Sequence, residues 1–337
     1  MRRILIPSKI SHKLPLPMES IIDLNGETMG TQWSVRYVGG PDSKLKEVIQ
    51  HELDSIVNEM SHWLPSSNLS RFNQSLPGTW HKLPKAFFNV LSSAMDLCRD
   101  SRGAYNTASG ALVNLWGFGS ESPYQSSQFV SPSSNAIKGS IARLKESAIR
   151  LNTETEEAYQ PGGAIVDLSS IAKGYAVDQI SSCLKVFGIE HHLVEIGGEL
   201  YGAGMKPDGQ PWWVALETPL IRGNEKFNAV EEIHIALHGL AIATSGDYRR
   251  YFSANENLYS HTIDPRNGYP INNDIASVTV IHESCMLADG LSTTLTVLGI
   301  EEGLQFAEEQ NLAARFLIRH KNGFEEKFTS QFGEMLQ

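Results

Sequence analysis

Several short segments carry residue types whose spacing suits chemistry on an anionic ligand. In ADGLSTT (288–294), Asp289 and Thr293 stand four apart, so on a helix they share one face. A carboxylate and a hydroxyl placed together suit a hard cation such as Mg2+, which takes oxygen ligands and completes its shell from water or phosphate. The same aspartate at a helix start also suits a plain N-cap, and spacing alone leaves both open. In DLSSIAKGYAVD (167–178), a strand ending near 168 runs through small residues into a helix. Free backbone N–H groups at such a start can receive an anion, and Lys173 adds positive charge in the first turn. An ordinary strand-to-helix turn with a surface lysine fits that pattern too.

YSHTIDPRNGYP (259–270) puts Tyr259, His261 and Ile263 on one side of a strand, with Asp264-Pro265 opening a turn. A histidine beside phosphate and metal can move a proton near neutral pH, though a lone strand histidine also serves structure. ATSGDYRRYF (243–252) is a polar turn entering an aromatic, basic strand. GAYNTASG (103–110) followed by LVNLWGFG (112–119) combines glycine turns with aromatic surface that can stack on a planar ring or simply form core. MGT (29–31) precedes a strand, MSHWLPSSNLSRFN (60–73) follows a helix, and the glycine pair of VEIGGEL (194–200) permits close backbone approach. No GxGxxG or GxxxxGK[ST] occurs, which weighs against a nicotinamide dehydrogenase or a P-loop nucleotidase.

Positioning these residues requires a frame. Residues 31–38 alternate as a strand and end at Gly39-Gly40-Pro41. Leu45, Val48, Ile49, Leu53, Ile56, Val57 and Met60 recur at helical spacing, as do Phe87, Phe88, Val90, Leu91, Ala94, Leu97 and Cys98. Residues 121–135, rich in Ser, Pro and Gln, predict a surface loop. A helix is expected over 171–187, stopped by Gly188. Strands follow near 192–196, 212–216, 232–238 and 241–244. Residues 259–263, a turn at 264–268 and 276–281 together predict a hairpin. Helices at 288–298 and 301–310 and a strand at 314–319 close the chain. Residues 1–24, proline-spotted and aperiodic, predict an N-terminal arm. Strands clustered in hairpins between helices predict an α+β fold with substantial antiparallel sheet.

At 337 residues, with 41% hydrophobic and 20% charged residues, the chain can bury a sizeable core in one large domain or two intimate ones. Its net charge of -10 argues against broad nucleic-acid binding, which needs a basic surface. Cys98, Cys183 and Cys285 show no CxxC or Cys/His metal spacing, and free, buried thiols are expected. Pro7, Ser8, Lys9, Ser11, His12 and Lys13 interrupt the apolar run a secretory signal needs, and no stretch approaches the ~20 apolar residues of a membrane span. A cytoplasmic location is expected.

The order and wording of IAKGYAVD, ATSGDYR, SHTIDPRNGYP and LVNLWGFG together resemble the FAD:protein FMN transferases, the ApbE family. The resemblance runs from about residue 27 to 309. It implies one domain over 25–337 that binds FAD with its diphosphate beside Mg2+. A threonine or serine hydroxyl of an acceptor flavoprotein then attacks the FMN phosphate, releasing AMP and leaving a phosphoester-linked flavin. Carried over by position, Asp289 and Thr293 correspond to side-chain metal ligands, joined by the Ser170 carbonyl. Met29, Trp63, Ala104, Tyr105, Asn106, Asp167, Lys173 and Ile263 correspond to flavin-nucleotide contacts. His261 is the candidate general base or orienter of the acceptor hydroxyl, with Asp289 the second candidate catalytic group. No internal Ser/His/Asp triad is expected, because the attacking hydroxyl belongs to the partner.

The sequence departs from the family wording in several places. The family commonly has Ala where Gly290 and Ser292 stand, an acid at Asn106 and glycines at Ser169 and Ser170. Gly290 inside the metal-bearing helix costs up to ~1 kcal/mol relative to Ala. Two other activities share the same residues: an FAD pyrophosphatase, in which water attacks, and a non-catalytic FAD-binding protein. The presence of both Asp289 and Thr293 weighs against the latter.

Overall fold

The computed structural model describes residues 3–7, 14, 19–121, 123–146, 148–219, 230–246, 251–254, 257–320 and 323–337. Residues 247–250 of the ATSGDYRRYF segment and most of 1–18 lie outside that set. The chain forms two compact units: Met1–Asp54, Lys173–Gly246 and Asp274–Gln337 in the first, Ser55–Ala172 and Asp247–Asn273 in the second. Elements are numbered in chain order.

The first unit is built on an eight-stranded sheet whose neighbours are all antiparallel. Its order is β18 (Gly323–Phe328), β17 (Ala313–His320), β16 (Ile275–His282), β11 (Leu240–Gly246), β8 (Glu199–Ala203), β7 (His192–Ile196), β3 (Thr31–Val38), β2 (Ile21–Thr28). In β3 the alternation Trp33, Val35, Tyr37 buries one face, as period-2 side-chain placement requires. In central β16 seven consecutive residues are buried, so both faces of that strand are covered. Two hairpin turns need left-handed backbone at both central positions: Met29 (φ 50°) with Gly30 (φ 71°), and Gly197 (φ 62°) with Gly198 (φ 100°). Within the stretch read as an arm, β1 (Arg3–Leu5) pairs in parallel with β10 (Ile233–Leu237), and β9 (Trp212–Ala215) completes that sheet. Leu5, Trp212, Ile233, Ile235 and Phe332 share one core, the last from α8 (Ser330–Met335).

Helix α7 (Cys285–Glu309) packs on β11 and β16. Gly299 (φ 80°, ψ −175°) interrupts it, which accounts for the two helical stretches expected there. The helix starts at Cys285, with the Ser284 hydroxyl as N-cap accepting from Leu287 N (3.3 Å). Asp289 therefore sits a full turn inside the helix and is not its cap. Helices α1 (Leu45–Met60) and α6 (Ala172–Val186) carry residues of both units. No helix among the described residues is long and apolar enough to cross a membrane.

The second unit holds helices α2 (Asn68–Asn73), α3 (Lys85–Asp100), α4 (Gly110–Leu115) and α5 (Ser134–Glu146). Its three-stranded antiparallel sheet runs β4 (Thr79–Lys82), β6 (Glu157–Gln160), β5 (Arg150–Asn152). Two hairpins join them: β12 (Tyr251–Ala254) with β13 (Asn257–Ser260), and β14 (Ile263–Asp264) with β15 (Tyr269–Pro270). This corrects the expected hairpin. The 264–268 turn links β14 to β15, Tyr259 pairs with Phe252, and residues 276–281 lie in β16, paired with β11 and β17. The turn forms at the expected residues, but apolar alternation cannot say which strand an alternating run pairs with. Gly268 (φ 78°) closes that turn where a Cβ would come 2.8 Å from Ile137, and its carbonyl accepts from the Trp116 indole (2.8 Å). LVNLWGFG thus forms core: Leu112, Trp116 and Phe118 pack with Phe252, Ile263 and Tyr259.

Candidate active site

In the first unit, the N-terminal turns of α6 and α7 lie against each other. A Cβ on Gly174 would sit 2.2 Å from the Cys285 carbonyl oxygen and 2.9 Å from Asp289 Cβ, so only glycine permits this approach. Gly174 N donates to Asp289 Oδ2 (3.0 Å), and Lys173 Nζ stands 3.4 Å from the same oxygen. Lys173 Nζ also meets Glu199 Oε1 at 3.2 Å. Burial disfavours the lysine's charged form, but Asp289 and Glu199 outweigh it and hold the ammonium well above the ordinary lysine range. Asp178, the last residue of the IAKGYAVD run, fixes the start of α7. Its carboxylate accepts from Ser284 Oγ (2.8 Å), Cys285 N (2.9 Å) and Met286 N (3.0 Å), a strong use of charge at a helix N-terminus. Burial still pushes its carboxyl above the usual carboxylate value.

Asp289 is nearly buried, at 4% exposure, and its Oδ1 has no hydrogen bond among the described residues. One turn on, the Thr293 hydroxyl is likewise without a hydrogen bond there. Its neighbours differ: Ser292, Thr294 and Thr296 bond back to carbonyls of Asp289, Gly290 and Ser292 at 2.8–2.9 Å. A carboxylate oxygen and a hydroxyl left open on one helix face fit the donor set of a hard cation. No group of three or more His, Cys, Asp or Glu side chains arranged for a metal occurs among the described residues, so a cation here would take a mixed set of oxygens. Met29 sits in the β2–β3 turn of the same unit.

In the second unit, Asp167 is anchored at the end of an extended run. Its backbone N donates to Thr107 O (2.8 Å), and its Oδ1 accepts from Ser169 N (2.8 Å) and lies 3.4 Å from His62 Nδ1. The His62 ring packs on Trp63 (centroids 5.1 Å apart), whose indole is half exposed. Asn73 clamps the preceding residue with two bonds, Nδ2 to Val166 O (2.9 Å) and Val166 N to Oδ1 (2.8 Å). A polar cavity of about 100 Å³ opens there, lined by His62, Asn73, Asn114, Glu121 and Asp167 among others. Ser170 Oγ bonds the Tyr105 hydroxyl (3.0 Å). Ala104 and Tyr105 are buried, while Asn106 Oδ1 accepts from Ala108 N (2.9 Å) in an Asx turn. His261 lies edge-on to Phe118 (6.3 Å), and Ile263 is buried in the aromatic core.

The structure thus gathers Lys173, Asp289 and Thr293 within the first unit, and Trp63, Tyr105, Asn106, Asp167 and Ser170 along neighbouring segments of the second. Four contributors went unnoticed in the sequence: Gly174, Asp178, Glu199 and His62. Each lies inside a segment whose wording stands out, Gly174 and Asp178 in IAKGYAVD, Glu199 in VEIGGEL and His62 in MSHWLPSSNLSRFN, but nothing local sets it apart from its neighbours. All three cysteines are free; Cys285 is fully buried and its thiol raised by burial, whereas Cys98 and Cys183 are partly exposed.

A largely antiparallel α+β fold whose glycine-enforced helix contact sets a lysine beside a carboxylate defines the class of structure. The comparisons then give the family. The ApbE family profile matches residues 29–316. The FAD:protein FMN transferase of Haemophilus influenzae is 38% identical over 326 residues, covering 94% of this chain and 92% of that one. The Vibrio cholerae FAD:protein FMN transferase is 38% identical over 321 residues, with coverage of 94% and 92%. Among solved structures, apo Pseudomonas stutzeri flavinyl transferase ApbE superposes with a TM-score of 0.83 at 35% identity, over 94% of this chain and 97% of that one. Flavin transferase ApbE from V. cholerae gives 0.83 at 35% identity, over 94% and 99%. The chain belongs to the ApbE family.

Proposed function

We propose that the protein is a Mg2+-dependent FAD:protein FMN transferase. It cleaves FAD and joins FMN through a phosphoester to a Thr or Ser of an acceptor flavoprotein, with release of AMP. The observation that carries this reading is the cluster of Lys173, Asp289 and Thr293, which offers one fixed ammonium and two open oxygens on adjoining helix ends. Asp289 and Thr293 are the proposed side-chain ligands of Mg2+, with the Ser170 carbonyl as a third; the bound ion would supply charge neutralisation on the diphosphate.

Phosphoryl transfer asks little covalent chemistry of the protein and much positioning and charge stabilisation. Lys173 binds the diphosphate and offsets negative charge as the bond to AMP lengthens. Met29, Trp63, Ala104, Tyr105, Asn106, Asp167 and Ile263 are the proposed contacts of the flavin nucleotide. The acceptor oxygen forms a bond to the FMN phosphorus, the bond from that phosphorus to the AMP oxygen breaks, and the hydroxyl proton leaves to a base. His261 is proposed as that base or as the group that orients the hydroxyl.

Incubation with FAD, Mg2+ and a threonine-bearing acceptor, followed by a denaturing gel, tests the reading. Covalent flavin fluorescence on the acceptor band is expected. Free FMN and AMP with an unlabelled acceptor would assign a pyrophosphatase, and intact bound FAD a binding protein.

A further inference from the structure

The EIGGE stretch (195–199) is a tight turn between β7 and β8 that the proposed chemistry leaves unused. Its geometry converges on Lys173. A Cβ on Gly197 would lie 3.5 Å from Lys173 Cδ and 2.9 Å from Thr31 Cγ2, so the left-handed glycine turn packs beside the lysine stem. One residue past the turn, the Glu199 side chain is 3% exposed and its Oε1 stands 3.2 Å from Lys173 Nζ. The ammonium has three N–H donors, and two of them face carboxylates, Glu199 and Asp289. The lysine remains a quarter exposed, which leaves the third donor open to solvent or ligand.

We propose that Glu199 is a positioning residue for flavin transfer: its buried carboxylate holds the Lys173 ammonium beside Asp289, with the third donor aimed at the phosphates of the flavin nucleotide. The assignment rests on the flavin-transfer reading of the Lys173 site. It explains a buried acid where the diphosphate is expected, since an acid close to a phosphate repels it unless its charge is used to hold a cation. The paired glycines supply the left-handed backbone of the turn (φ 62° and 100°), and a side chain at Gly197 would crowd Thr31 at 2.9 Å beside the lysine stem. Once Asp289 is engaged by a cation, Glu199 remains as the lysine's anionic partner.

The experiment compares wild type, Glu199→Gln, Glu199→Asp, Lys173→Met and the Glu199→Gln/Lys173→Met double variant, each checked for folding by circular dichroism. FAD affinity in Mg2+ is read from flavin fluorescence, and Lys173 reactivity from trace acylation with an amine-reactive ester followed by mass spectrometry. Glu199→Gln is expected to weaken FAD about tenfold and to speed Lys173 acylation several-fold, with Glu199→Asp recovering part of both. In the Lys173→Met background the same substitution is expected to change FAD affinity by less than about twofold, because Glu199 acts through the lysine. Unchanged or tighter FAD binding in Glu199→Gln, unchanged labelling, or additive losses in the double variant would each overturn the assignment. A wild type that binds no FAD would sink the flavin-transfer reading instead, and the labelling contrast would still decide whether Glu199 holds Lys173.

Discussion

Gly174→Ala is the sharpest perturbation of the site, because it adds one methyl where two helices touch. The new Cβ would lie 2.2 Å from the Cys285 carbonyl oxygen and 2.6 Å from its carbon, both backbone atoms that cannot rotate away. Ordinary contact begins at 3.4 Å, so α7 must retreat from α6 by about 1.2 Å. Overpacking of this kind costs ~1–3 kcal/mol, and the upper end applies because the obstacle is main chain. The retreat also stretches the 3.0 Å bond from Gly174 N to Asp289 and lifts Asp289 away from Lys173. A misplacement near 1 Å in a positioning group lowers turnover by roughly a hundredfold. Urea unfolding gives the first quantity and FMN transfer at saturating FAD the second. Gly333→Ala in α8 is the matched control, since nothing lies within 4 Å of its added Cβ and helix propensity favours Ala by up to ~1 kcal/mol. A Gly174→Ala protein as stable and as active as wild type would refute the helix contact as the source of the site's geometry.

Thr293→Val removes an unbonded hydroxyl at constant shape; stability should move by less than ~0.5 kcal/mol while the Mg2+ needed for half-maximal transfer rises several-fold. Asp178→Asn weakens three bonds to the start of α7 and should cost ~2 kcal/mol, measured in urea. His192 is buried between Ser181 Oγ (2.9 Å) and Ile189 O (3.1 Å), and burial pushes its pKa from 6.5 down to about 4. It is therefore neutral in the fold and must charge on unfolding. Its contribution is intact above pH 6.5 and lost as pH falls through about 4, amounting to ~3 kcal/mol that a neutral His192→Gln variant would not lose. His261→Ala should lower FMN transfer at saturating substrates; unchanged transfer would remove His261 from the proton-handling role.

Local patterns carried much of the frame. Residues 31–38, 45–60 and 192–196 form the expected elements with the expected bounds, because each has clean periodicity and a glycine or polar stop. The strand β2 escaped notice because its even positions are only half buried and it lies at the sheet edge, where polar residues are tolerated. The pairing of β16 differs from the expected hairpin because seven consecutive residues, Ser277 and Thr279 among them, are buried, so no exposed face marks its register or its neighbours. At the site, the i,i+4 relation of Asp289 and Thr293 was visible, whereas Glu199 and Asp178 were not. Glu199 lies 26 residues, and Asp178 more than 100 residues, from the groups they hold, and only the fold closes those distances. His62 was passed over beside Trp63, because a histidine among Ser and Trp has no periodic context.

The central claim is that FMN moves intact onto a partner hydroxyl. Its most direct test is mass spectrometry of a threonine-bearing acceptor after incubation with enzyme, FAD and Mg2+, alongside AMP quantification. The expected result is an acceptor heavier by one FMN less one water, one AMP released per label, and loss of both in Asp289→Asn. AMP released without any gain in acceptor mass, or labelling that survives in Asp289→Asn, would contradict it.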